Sequence, residues 1–169
     1  MKKIYNALTF INKLLQRIEI ILGSTCLGVL FIVMIVNAAL RYIFHSGLNW
    51  SDELNGFLFV WFGFLAAAYA MSRKNHLNIT AIINLFPEWL RYALSMIMNV
   101  IMIYMFIVYM PSLSKLLKTL PISNVMRIPL KYVYLILPGS FWLMNYHIFY
   151  NMVQESVDFF SKRSKEAKA

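Results

Sequence analysis

Residues 41–64 read RYIFHSGLNWSDELNGFLFVWFGF and lie between two strongly apolar runs. One short connector thus gathers Arg41, His45 and the adjacent acids Asp52 and Glu53 in a chain otherwise suited to lipid. Asn49, Ser51 and Asp52 are all good helix caps. Asp52 and Glu53 fall at the positive N-terminal end of the next run, where acids are favoured by about 0.3–1 kcal/mol. Arg41 closes the preceding run on the same surface, so a clasp between its guanidinium and one of these carboxylates is expected. Tyr42 and Phe44 add aromatic bulk, and Trp50 suits the membrane–water interface. Trp61, near the middle of the second run, is expected to sit in a packed or partner-facing place.

The composition explains why that connector decides the fold. Of 169 residues, 60% are hydrophobic and 14% charged, and the mean hydropathy of +0.63 lies well beyond that of an ordinary soluble domain. The chain reads as an integral membrane protein. Four segments, residues 20–40, 54–71, 92–110 and 132–150, are apolar over the length of about 20 residues needed to cross a bilayer. The expected fold class is all-α, a four-helix membrane protein forming a single domain over residues 1–169, with no internal repeat.

Residues 1–18 place Ile4, Leu8, Ile11, Leu14, Leu15 and Ile18 at helical spacing. An amphipathic helix lying in the membrane surface, with its basic residues toward lipid headgroups, is expected. Lys2 and Lys3 ahead of the first span, with Ala38 and Ala39 closing it, resemble a secretory signal; the long patterned region before the span argues that it is retained. Residues 160–169 form a basic tail.

Orientation follows from the bases. With both ends cytoplasmic, eleven Lys and Arg lie inside and five outside, which favours N-in and C-in. Four of the five outer bases, Lys115, Lys118, Arg127 and Lys131, crowd the segment between the third and fourth spans, which suggests an acidic partner on that face. The net charge of +9 belongs mostly to the termini, and no nucleic-acid-binding module accompanies it.

Catalytic chemistry finds no footing. Cys26 is the single cysteine and reads as a small apolar residue within a span. The spacing from Gly23 to Gly28 lacks the lysine of a phosphate loop, and no serine sits in a nucleophile elbow. His45, His76 and His147 are far apart, with no Cys or carboxylate at metal-ligand spacing, so neither a metal nor a cofactor is expected. Glu19 stands at the lip of the first span, where snorkelling or pairing with a nearby base accounts for it. Asn37, Ser95, Asn99 and Asn145 read as interhelical hydrogen-bonding groups contributing about 1 kcal/mol or less each, and Ser24 with Gly28 as a small-residue packing stripe. Pro111 and Pro138 lie near span ends. An alternative reading is a small homodimeric four-helix antiporter that exchanges protons through Glu19.

Five motifs in order carry a family resemblance: NAALRYIF at residues 37–44, WSDEL at 50–54, FVWFGF at 59–64, RKNHLNI at 73–79 and MRIPLKYVY at 126–134, leading to Leu137, Pro138 and Gly139. Together they resemble the small membrane subunit, of Q or DctQ type, of tripartite ATP-independent periplasmic (TRAP) transporters, and most of all those of sialic-acid systems. The resemblance implies a bacterial inner-membrane scaffold for a large, sodium-coupled, elevator-type subunit, with a periplasmic binding protein delivering an organic acid anion. It makes Arg41, Tyr42, Trp50, Asp52, Glu53, Trp61 and His76 structural or partner-interface candidates. It also makes Lys115, Lys118, Arg127 and Lys131 candidates for docking the binding protein.

Overall fold

The computed structural model describes residues 2–73 and 87–166. The chain is helical: α1 spans Lys2–Phe44, α2 Ser51–Ser72, α3 Glu88–Thr119, α4 Leu130–Val133 and α5 Ile136–Glu166. Three of these, α1, α2 and α3, are long and apolar enough to cross a membrane. The fourth long helix, α5, starts inside the expected span 132–150, because a turn at Tyr134–Leu135 separates it from α4. Pro138 falls in the first turn of α5, where its missing N–H would have no intrahelical partner in any case.

The amphipathic segment is helical and runs without interruption into the first span. No proline interrupts α1, which runs on for 43 residues, or about 64 Å at 1.5 Å per residue. That is roughly twice the hydrocarbon thickness of a bilayer. The amphipathic pattern is used on another protein surface: Leu8, Thr9, Asn12, Gln16 and Glu19 all bond to α2 or α5.

α1 ends where His45 takes a left-handed φ of 53°. Helix α3 likewise outruns its expected span, continuing through Pro111 to Thr119, so Lys115 and Lys118 sit on exposed helix rather than in a loop. Between α3 and α4 the chain turns back on itself through a bridge between Ile122 and Pro129, closed by Ser123 N–H to Ile128 O at 2.9 Å. Arg127 at the tip has φ 56°.

α1 packs along α2 and also meets α5, α2 packs on α5, and α5 carries α3 on its other flank, giving an open row more than a closed bundle. The core lies at its centre, where Ala68 and Met71 of α2 meet Met144 and Ile148 of α5. Phe141 bridges to the outer helix, its ring 5.0 Å from Phe106 and 6.2 Å from Phe64. Gly23 brings α1 close to α2: a Cβ there would lie 3.7 Å from Leu65. The Ser24–Gly28 stripe faces away, exposed, with nothing within 4 Å of a Cβ at Gly28. Long apolar stretches of α1 and α3 are exposed, among them Phe31, Ile32, Ile35, Val100, Tyr104 and Ile107.

Candidate functional site

A polar seam fastens the two ends of the chain together. Asn12 and Glu19 lie seven residues apart in α1, two helical turns, and so share a face. Opposite them on α5 is His147, which is wholly buried. Its Nδ1–H donates to Asn12 Oδ1 at 2.7 Å, and its Nε2 lies 2.9 Å from Glu19 Oε1. With Nδ1 carrying a proton, the shared proton on the other side belongs either to an imidazolium facing a carboxylate or to a carboxylic acid facing an imidazole. Both arrangements are neutral as a pair, which is how two ionisable groups are kept inside an apolar layer. Glu19 Oε2 is buried without a partner.

The seam continues on both sides. Tyr146 Oη donates to Leu8 O at 3.2 Å and Tyr150 Oη to Thr9 Oγ1 at 3.1 Å, while Asn151 Nδ2 donates to Met71 O at 2.9 Å. On the other flank of α5, Ser95 Oγ donates to Glu155 Oε2 at 2.7 Å and Tyr92 meets Ser156 at 3.0 Å, with the Tyr92 ring stacked on Phe159 at 4.4 Å. Ser95 thus makes the interhelical bond expected of it. Asn145 instead donates to Phe141 O in its own helix, and its Oδ1 is buried without a partner.

At the opposite end, the connector is built differently from the expected clasp. Among the described residues no ion pair joins Arg41 to Asp52 or Glu53. Asn37 holds the turn, its Oδ1 accepting Leu48 N–H at 2.7 Å. Gly47 lies close beside it: a Cβ there would come to 3.3 Å from Asn37 Oδ1 and 3.5 Å from Arg41 Nε. Arg41 and Tyr42 are exposed, as are Trp50 and Asp52. The residue that caps α2 is Trp50, without a side-chain capping bond, and Ser51 turns its hydroxyl back to Leu48 O.

Glu53 points across to the loop before α4. Its carboxylate accepts Asn124 N–H at 3.0 Å and Met126 N–H at 2.7 Å, with Ser123 Oγ at 3.2 Å. A loop that must reverse direction leaves backbone N–H groups without ladder partners, and a carboxylate with several lone pairs can satisfy them together. Two turns further along α2, Trp61 Nε1–H donates to Val133 O at 2.8 Å, at the break between α4 and α5. So Glu53 and Trp61 dock the same connection, Trp61 through a packed contact within this chain. Arg127 and Lys131 flank that connection and are exposed; His76 lies outside the described residues.

Two members of the buried trio escaped sequence reasoning. From sequence alone His147 reads only as one of three scattered histidines without metal-ligand partners, and Asn12 as one of the polar residues of the amphipathic segment. The available signal was the i, i+7 spacing of Asn12 and Glu19, a polar stripe that needs a polar partner. Among the described residues no group of three His, Cys, Asp or Glu side chains gathers as a metal site.

The chain is similar to a protein of Haemophilus influenzae named for a TRAP transporter small permease, 33% identical over 94 residues that make up 56% of each chain. It is 37% identical over 79 residues to the sialic acid TRAP transporter permease protein SiaT of H. influenzae, covering 47% of this chain and 13% of that one. To the sialic acid TRAP transporter small permease protein SiaQ of Vibrio cholerae it is 29% identical over 87 residues, 52% of this chain and 50% of the relative. The chain therefore spans about half the length, or less, of the curated relatives it matches. These relatives are transporter permease subunits, not enzymes. The family model for the DctQ component of tripartite ATP-independent periplasmic transporters matches residues 30–157, taking in the Asn37 turn, the Glu53 dock and His147, and the chain belongs to that family.

Proposed function

We propose that this chain is the scaffold subunit of a sodium-coupled TRAP transporter of the bacterial inner membrane. It holds a large elevator-type subunit in place while a periplasmic binding protein delivers an organic acid anion. Sialic acid is the first substrate to test, because two of the similar proteins carry it in their names. The observation that carries the reading is the contrast between the two sides of the row. Several of its buried polar groups are committed to internal fastening, whereas the apolar faces of α1 and α3 are open. In lipid, helices gain nothing from burying apolar surface against one another, so association rests on close packing and polar bonds. A chain fastened internally in this way keeps a fixed shape and offers its outer faces to a partner.

Both chain ends lie in the cytoplasm in this reading, by the excess of bases on that side. Glu53, Trp61 and the loop before α4 then frame the periplasmic side, and Lys115, Lys118, Arg127 and Lys131 offer a basic surface to the binding protein. Glu19 is held by His147 and serves the fold instead of proton exchange.

The test is a mild-detergent purification from native membranes, with stoichiometric partners identified by mass spectrometry. An equimolar large polytopic membrane protein supports the scaffold. Recovery of the chain alone as a stable homodimer would return attention to the antiporter and Glu19.

A further inference from the structure

We propose that the cleft at the Arg73 end of α2 binds one phosphate-bearing anion at the membrane surface. This cleft, about 300 Å³, lies between the N-terminal part of α1, the end of α2 and the middle of α5. Lys13 and Arg73 bring two positive charges to it, and among the described residues no carboxylate lines it. Among the described residues neither cation is paired with an acid. Arg73 is oriented by its Nε–H, which donates to Tyr69 Oη at 3.1 Å, with the guanidinium 5.6 Å from the Tyr69 ring centroid. That leaves its terminal nitrogens for a ligand, and a planar guanidinium fork suits phosphate oxygens.

The neutral wall is prepared in the same sense. Gln16 Nε2 is anchored on Ser72 O at 3.3 Å and Asn151 Nδ2 on Met71 O, while Asn12 gives its Oδ1 to His147. These bonds fix the cleft's walls on the buried seam, so the site does not have to be assembled when a ligand arrives. Gln154, on the same wall, adds an amide donor.

The position selects the ligand. At 22 residues, α2 is about 33 Å long, close to the hydrocarbon thickness, so Ser72 and Arg73 emerge at headgroup depth. Exposed Phe10, Ile11, Leu14 and Ile18 on the adjoining stretch of α1 offer an apolar surface for acyl chains beside the charged cleft. The shared chemistry is a phosphate group, supplied by an anionic lipid headgroup or by soluble phosphate.

Native mass spectrometry of the full chain, in the membrane complex in which it is purified, tests this with phosphatidylglycerol and with phosphatidylcholine of the same acyl chains. One phosphatidylglycerol per chain is expected to be retained in preference to phosphatidylcholine. Lys13→Gln combined with Arg73→Gln should weaken that retention roughly 25-fold, about fivefold for each cation. Lys13→Arg with Arg73→Lys should preserve it, and Lys115→Gln with Lys118→Gln, which removes equal charge elsewhere, should leave it unchanged. Millimolar inorganic phosphate separates the two sources. Displacement of the lipid together with a raised melting temperature assigns the site to soluble phosphate, and lipid retention in its presence assigns it to the headgroup. Equal retention of both lipids without stabilisation by phosphate overturns the proposal, as does an equal loss in the Lys115 and Lys118 control. Should the double variant fail to fold, the wild-type comparison of the two lipids and phosphate decides alone.

Discussion

His147 Nε2 lies 2.9 Å from Glu19 Oε1, joining the helix that begins the chain to the one that ends it. The contact is fully buried and lies beside Asn12, so it sets the register of α1 against α5. A slide of one turn, about 5.4 Å, would strand an ionisable group in an apolar layer.

His147→Ala should therefore lower stability by about 2–3 kcal/mol, because it leaves the Glu19 carboxyl buried without its partner. Glu19→Gln keeps a hydrogen bond to the imidazole and should cost about 1 kcal/mol or less, with uptake by the reconstituted transporter nearly intact. Melting curves and uptake of the two variants in parallel check this. Loss of uptake in Glu19→Gln at normal expression and melting temperature would show that the carboxyl takes part in transport.

Asn37 and Arg41 lie one turn apart at the end of α1 but bear differently on the connector. Asn37→Ala removes the acceptor of Leu48 N–H and should destabilise by about 1 kcal/mol. Arg41→Ala changes an exposed side chain without an ionic partner among the described residues and should stay within about 0.5 kcal/mol. Thermal unfolding of the two purified variants distinguishes them, and a larger effect at Arg41 would restore the clasp.

Glu53 and Asp52 are adjacent acids with different duties. Glu53→Ala should speed hydrogen exchange several-fold at the amides of Asn124 and Met126, whose acceptor it removes, and Asp52→Ala should leave both unchanged. Exchange that rises equally in both variants would mean that general charge, not the specific bonds, orders the loop.

Trp61→Phe keeps an aromatic ring but removes the N–H that meets Val133 O at the break between α4 and α5. A loss of about 1 kcal/mol is expected, read as a lower melting temperature, since the carbonyl at the break loses its donor. An unchanged melting temperature would show that water or lipid headgroups satisfy this carbonyl equally well.

Much of this architecture is local and so was legible in the sequence. Apolar runs of sufficient length can only be helices in a bilayer, because every backbone N–H and C=O must be satisfied within the segment. That accounts for α1, α2 and α3 and for the polar connector between the first two. The acids in the first turn of α2 were legible on the same footing, as was an interhelical bond from Ser95 though not its partner, while a packed or a partner-facing place for Trp61 stayed open.

Which groups meet across the layer was decided only by the tertiary structure. Arg41 and Asp52 or Glu53 are close in sequence and opposite in charge, yet Glu53 turns to the loop before α4, where three donors converge, and Asn37 holds the turn. Composition alone gives no reason to prefer those donors, because they come from residues 123–126, some seventy positions away. Residues 2–18 are helical, as their periodicity predicts, but periodicity does not say what covers a polar stripe. His147, 128 residues beyond Glu19, covers it here, and the pairing of such distant groups follows from helix packing, which sequence spacing does not encode.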